Sequence, residues 1–238
     1  MRNFQKNTIN MKKIYFSAFF LFSFLIGMTS NADKNTSPTE LKKEFTGTLK
    51  YVEYTPFDTT YYTVYVTKGN IRVDSFKNRN TKGEADKVLI YNLEDNLILA
   101  IKPSSQIYKS INAEESQESK INGCEIILNK DNYKYINNYK CIQYRIKNKL
   151  DNTDITYWVP EEDFPFYYEM VSMKHSMQPV YKYFFMLPNY QVAFPMQTVE
   201  RTLLREEKSS YKVIEMVESA DLSTGLFTVP KGYQLLND

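Results

Sequence analysis

Tyr62-Thr63-Val64-Tyr65-Val66-Thr67-Lys68-Gly69-Asn70-Ile71-Arg72-Val73-Asp74 reads as two strands and the turn between them. Tyr62, Val64 and Val66 alternate with Thr63, Tyr65 and Thr67, the period of two that sends successive side chains to opposite faces of a strand. Lys68-Gly69-Asn70 then turns the chain into Ile71-Arg72-Val73-Asp74.

The same pattern recurs outward in both directions. The first strand is expected at Phe45, and Val88 to Tyr91 pairs with Leu97 to Ile101 across Glu94-Asp95-Asn96. Cys141 to Ile146 turns at Asn148 to Asn152 into Ile155-Thr156-Tyr157-Trp158-Val159, and Val199 to Leu204 and Tyr211 to Val217 flank Glu206-Glu207-Lys208-Ser209. β-Branched and aromatic runs joined by short polar turns predict a mainly β chain, an antiparallel meander with one apolar and one wet face. The turns are too short for parallel crossovers, so the sheet is expected to be antiparallel throughout. Alternation alone fits a half-barrel or a sandwich equally well.

Helical start signals are few. Ser37-Pro38-Thr39-Glu40 is a capping box with proline at the first helical position, and Asn112 with Glu115 is a weaker version. Between Phe164 and Leu187, 12 of the 24 residues are aromatic or methionine. Phe166, Met170, Met173 and Met177 are spaced i, i+4, i+7 and i+11, one face of a helix begun at Pro165 and stopped by Pro179. Such a stripe serves either as core or as the wall of a groove that accepts varied apolar shapes. So many large apolar groups need a cover of sheet, ligand or partner. A ligand is expected under this segment, against the sheet, touching Phe166, Tyr167, Met170, Met173, Tyr183, Phe184 and Phe185.

Lys12-Lys13, the apolar run from Ile14 to Met28 and Ser30-Asn31-Ala32 make a secretory signal peptide over 1–32. The alternative is an uncleaved anchor, for which the run is short of the roughly 20 residues a span needs. Residues 33–238 then read as one β-rich domain in the periplasm or outside the cell, with no membrane span left after cleavage. The whole chain of 238 residues carries +2, but residues 1–32 hold four basic groups and no acid. The remainder holds 26 basic and 28 acidic residues and no basic block, which argues against nucleic acid as a partner. Tyr133-Lys134-Tyr135 reads as the exposed face of a strand rather than a base-stacking platform.

Cys124 and Cys141 both lie in the exported part, where an isolated pair is expected to form a disulfide; the alternative is two buried free thiols. Catalytic patterns are thin. The seven glycines never fall within five residues of one another, so no phosphate-cradling loop exists. His175 is the one histidine, and neither a serine triad nor a zinc site can be assembled convincingly around it. Ser209 and Lys212 satisfy S-x-x-K but in a strand, where they point to opposite faces. Glu161-Glu162-Asp163 is read as serving the N-terminus of the helix at Pro165. No catalytic residue, metal or cofactor is assigned.

Several segments occur in an order that resembles a family. They are Phe45-Thr46-Gly47-Thr48-Leu49, Gly69 to Asp74, and Ile136-Asn137-Asn138-Tyr139-Lys140-Cys141 followed by Tyr144. Thr156-Tyr157-Trp158-Val159-Pro160 and Gly225-Leu226-Phe227-Thr228-Val229-Pro230-Lys231-Gly232-Tyr233 complete the series. Together, over about 44–236, they resemble an uncharacterised family of exported proteins from Bacteroidota-type bacteria, related in shape to the periplasmic lipoprotein carriers LolA and LolB. Asn138 departs from a glycine more usual there, and asparagine tolerates the left-handed turn. The resemblance implies a strongly curved antiparallel sheet, an incomplete lipoprotein-carrier-like barrel with a few short helices over its concave face. The function so implied is a non-enzymatic binding protein for a hydrophobic small molecule, acyl chain or lipoprotein tail. The alternative is an envelope structural or protein-interaction module whose apolar face is only core.

Overall fold

The computed structural model describes residues 44–78, 83–113, 121–173, 179–219 and 221–236. The leader 1–32, the capping box at Ser37, Glu115, His175 and Met177 lie outside the described residues. The strands are β1 (Gly47–Tyr54), β2 (Thr59–Thr67), β3 (Asn70–Phe76), β4 (Lys87–Asn92), β5 (Leu97–Lys102) and β6 (Ile107–Asn112). They continue with β7 (Cys124–Ile136), β8 (Tyr139–Asn148), β9 (Thr153–Pro160), β10 (Gln197–Arg201), β11 (Glu207–Glu218) and β12 (Gln234–Leu235). Two short helices, α1 (Pro165–Ser172) and α2 (Pro179–Lys182), lie between β9 and β10.

The twelve strands among the described residues form one sheet in the order β12-β6-β5-β4-β3-β2-β1-β11-β10-β9-β8-β7. Hairpin chemistry sets most of it. Gly69, at φ 81°, supplies the left-handed residue of the β2–β3 turn, and Asn137 and Asn138, at φ 48° and 69°, make the two-residue β7–β8 turn. Gly47 permits a close approach: a Cβ there would lie 2.1 Å from the Val217 carbonyl oxygen on neighbouring β11.

Chain length forces the sheet to curl. Asn112 ends β6 and Cys124 begins β7, so the link between them can reach at most about 43 Å. In a flat sheet these strands, ten positions apart, would be about 48 Å apart. Ala113, Ile121 and Cys124 accordingly pack against one core cluster, yet β6 and β7 are not paired and the barrel stays open.

Inside the curve, rows of side chains line up across the strands. Leu49 stands opposite Val64 and Val64 opposite Val73, while Val66, Ile71, Tyr91 and Ile98 form the next row. The helical segment covers this concave face, and its buried residues share one core with the sheet. Each fully buried aliphatic or aromatic side chain there contributes about 1.5–3 kcal/mol.

The structure corrects several expectations. The sheet is not antiparallel throughout: β12 runs parallel to β6. The chain between β11 and β12 is far longer than a hairpin turn, and that length permits the crossover. The second face is not simply wet either. Phe76, Val88, Ile90 and Ile101 form a second core there, covered by Phe227, Val229 and Tyr233. Arg72 holds this strap down, donating from Nη1 to the Leu226 carbonyl at 2.8 Å and from Nε to Asp74 at 2.7 Å.

No disulfide forms; Cys124 and Cys141 are free thiols. Cys124 pairs with Asn148, whereas Cys141 pairs with Lys134 at the far end of the same hairpin. Seven residues of strand separate the two positions on β8, about 23 Å, well beyond the roughly 7 Å limit for a bridge. Asn112 is the last residue of β6 rather than a helix cap. β10 ends at Arg201, because the Thr202 N–H donates to the Glu206 carbonyl at 2.8 Å, making the turn that Arg205 completes at φ 72°. Glu161 serves no helix end; it pairs with Lys140 at 3.1 Å.

Candidate ligand pocket under the helical cover

Pro165 stands in the first turn of α1, where a missing N–H costs nothing, and the Phe164 N–H donates to the Val192 carbonyl at 2.8 Å. The helix therefore starts where the sequence indicates. Phe166, Tyr167, Met170 and Val171 are its buried residues. The stripe reaches Met173 in the described residues, and Pro179 opens a new helix rather than only closing the first.

Three contacts pin this cover to the sheet. Tyr157 of β9 donates its hydroxyl to the Val180 carbonyl at 2.8 Å. Lys182 pairs with Asp151 at 3.0 Å, and the Tyr183 hydroxyl donates to the same carboxylate. The hydrogen bond from Tyr183, followed by Lys182, holds the Asp151 carboxyl below the ordinary aspartate range. Ring contacts fill the interior: Phe166 lies 5.1 Å from Phe194 and 5.5 Å from Phe45, and Tyr167 lies 5.0 Å from Phe184.

A mainly apolar pocket lies between cover and sheet. Its floor is built by Leu49, Tyr51 and Glu53 of β1, Val64 of β2, and Ser209 and Tyr211 of β11. Its roof is Phe166, Tyr167, Met170, Val180 and Tyr181, with Phe194 at one end. The period of two on β1 explains the floor, since Leu49, Tyr51 and Glu53 must share a face. The pocket is a slot, with little of its space wide enough for a water molecule.

Its polar groups are tyrosines, two serines and one carboxylate. The rings of Tyr51 and Tyr62 stack with centroids 4.4 Å apart and planes 14° apart. Tyr62 donates its hydroxyl to Glu53 Oε2 at 2.8 Å. Tyr167 hydrogen-bonds to Tyr211, which donates in turn to the Pro195 carbonyl. Burial first, and then neighbouring tyrosines and Glu53, push the hydroxyls of Tyr51, Tyr167 and Tyr181 well above the ordinary tyrosine range. They stay protonated, and therefore able to donate, at any physiological pH.

Of the ligand-facing candidates, the structure brings Phe166, Tyr167 and Met170 to the pocket wall. Met173, Tyr183 and Phe184 lie in the core cluster away from the lining, and half-buried Phe185 packs against Tyr168 and Tyr190. The floor residues Tyr51, Glu53, Ser209 and Tyr211 escaped sequence reasoning. The alternation of Leu49, Tyr51 and Glu53 was the available signal, but it shows a shared face and not what stands across from it. Ser209 and Lys212 stay on β11, opposite Glu200 and Gln197, and cannot act together. Among the described residues no group of three acidic, cysteine or histidine side chains could hold a metal ion.

Residues 45–233 match the family described as Domain of unknown function (DUF4412). The chain belongs to this family. Its matched span nearly coincides with the 44–236 stretch whose motifs resemble an exported family. No curated protein matches the chain. Among solved structures, an uncharacterized conserved protein from Thermus thermophilus is similar at a TM-score of 0.47 and 9% identity, over 80% of this chain and 90% of that one. A chain of the Pseudomonas aeruginosa MucA/MucB complex is similar at 0.45 and 6%, over 83% of this chain and 60% of that one. A putative outer membrane lipoprotein-sorting protein domain from Vibrio parahaemolyticus is similar at 0.30 and 6%, over 76% and 87%. At these TM-scores the likenesses decide nothing further about this member of the DUF4412 family. No helix among the described residues is long and apolar enough to cross a membrane.

Proposed function

We propose that this DUF4412 member is a non-catalytic binding protein of the periplasm or the cell exterior, exported by its leader 1–32, with residues 33–238 as one domain. It holds the apolar part of a small molecule, acyl chain or lipoprotein tail in the slot between the sheet and the helical cover. The observation that supports this reading is the pocket itself. Phe166, Tyr167 and Met170 face Leu49, Val64 and Tyr211 across a narrow, mainly apolar slot with a few convergent polar groups, the makeup of a small-molecule site that a ligand would have to widen.

A second reading is an envelope structural or protein-interaction module whose apolar face is only core. The complete burial of Tyr183 and Phe184 and the narrowness of the slot favour it.

Fluorescence titration with N-phenyl-1-naphthylamine, a neutral apolar probe, separates the two. Ser209→Trp puts a large ring into the floor from a half-buried strand position. Saturable binding by the wild-type protein, weakened about tenfold or more in S209W at an unchanged denaturation midpoint, is the expected outcome. A folded wild-type protein that binds no probe leaves only the structural reading.

A further inference from the structure

The lining carries a charge of one sign. Among the described residues, Glu53 is its only charged side chain, and no lysine, arginine or histidine joins it. Lys208 and Lys182, next in sequence to the lining residues Ser209 and Tyr181, are engaged elsewhere. Lys208 reaches the Asn152 carbonyl and Thr153 at 3.1 Å and Glu200 at 3.5 Å, and Lys182 reaches Asp151.

Around Glu53 the walls are aromatic. Tyr51, stacked on Tyr62, lies two residues before it on the same face of β1, and Tyr62 binds its Oε2. Tyr51, Tyr167, Tyr181 and Tyr211 surround the space beyond. Tyrosine faces attract cations through the ring quadrupole, and a carboxylate within the same pocket adds a charge-assisted partner. A ligand carboxylate or phosphate placed here would meet Glu53 with no cation in the lining to compensate.

We propose that the ligand of this pocket is a cationic amphiphile. Its apolar chain lies between Met170, Phe166 and Val64, and its ammonium head is held by the Glu53 carboxylate among the tyrosine rings. This inference rests on the pocket reading above and narrows it to one head-group class, excluding free fatty acids and other anionic lipids as preferred ligands.

The charge of Glu53 raises the hydroxyls of Tyr51, Tyr62, Tyr167 and Tyr181, burial being the larger cause in each. Glu53 itself is half-buried.

Three ligands with one tail test it: decylamine, 1-decanol and decanoate, titrated calorimetrically at pH 7 below their aggregation limits, against wild-type protein and Glu53→Gln. The amine should bind about tenfold tighter than the alcohol, the difference one charge-assisted contact supplies, and decanoate weakest. E53Q should remove the preference for amine over alcohol and leave the affinity for the alcohol nearly unchanged. Equal binding of amine and alcohol by the wild type, or decanoate binding as tightly as either, overturns the head-group assignment and leaves the apolar pocket standing. Absence of binding by all three overturns both.

Discussion

The hydroxyl of Tyr157, on β9, donates to the main-chain carbonyl of Val180, on the cover, at 2.8 Å. Tyr157 is 1% exposed, so this bond joins sheet to cover inside the core rather than at its margin. Tyr157→Phe keeps the ring and leaves the Val180 carbonyl without its partner. The expected loss of stability is about 1–3 kcal/mol, the usual consequence of an unsatisfied buried acceptor. Urea denaturation of the wild type and Y157F measures it; an unchanged midpoint would mean that the cover is not fastened through this bond.

The two cysteines give a prediction about reactivity. Cys141 is completely buried, and burial, followed by the charge of Glu162, pushes its thiol up to about 12. Its sulfur touches Met196 at 3.9 Å. Only the thiolate reacts quickly, so Cys141 should be inert in the folded protein. Unreduced protein should show one thiol, the half-buried Cys124, reacting with Ellman's reagent under native conditions, and two in denaturant. No thiol in denaturant would require the bridge that the strand register forbids.

Arg72 is the fastening of the opposite face. It binds Asp74 and the Leu226 carbonyl, and side-chain exposures of 18% for Arg72 and 9% for Asp74 make this pair largely buried. Burial raises the Asp74 carboxyl while Arg72 lowers it, so removal of Arg72 leaves the carboxylate uncompensated. Arg72→Met should destabilise by about 3–5 kcal/mol and expose the strap around Phe227 to limited proteolysis. Adding Asp74→Asn should restore part of the loss. Proteolysis of residues 221–236 at the wild-type rate in R72M would contradict this role.

Lys134 offers a pH test. Burial first, and then Lys212, lower its ammonium to about 8, although Trp158 lies 4.0 Å from it and Gln197 Oε1 accepts a hydrogen bond from it. The unfolded chain holds that proton up to about pH 10.4. Between these values the unfolded state binds more protons than the folded one, so this group makes stability rise with pH above about 8; below that, its cost is constant. The denaturation midpoint of Lys134→Met, followed from pH 7 to 9.5, should lack this increment relative to the wild type. Parallel curves would place the lysine's titration elsewhere.

The parts of the fold legible in the sequence were those in which local chemistry agreed with the final environment. The 62–74 hairpin combines strict alternation, a turn glycine and burial on one face, and β2 and β3 formed there with Gly69 at positive φ. Asn138 also took the left-handed conformation expected of it. β7, by contrast, is an edge strand with most of its residues exposed and a register shift between Asn129 and Tyr133, so it carries little apolar rhythm. The strap over Phe76 and Ile90 was illegible for another reason. Its contacts join Phe227 to strands more than a hundred residues earlier, and period-two reading does not say which face a distant segment will cover. The pocket lay between these cases. Its roof was visible as a Met/aromatic stripe, but its floor depends on β1 pairing with β11, with Tyr51 opposite Val213.

The central claim is that the slot between cover and sheet takes up an apolar ligand. Methyl NMR of the protein labelled at its methionine methyl groups tests this most directly, because two buried methionines report on the two possibilities. Met170 lines the slot; Met196 is completely buried against Cys141 outside it. On titration with decylamine or 1-decanol, the Met170 methyl resonance should shift to a saturable limit while that of Met196 stays in place. A Met170 signal that does not move, or shifts of equal size at both methionines, would contradict the account.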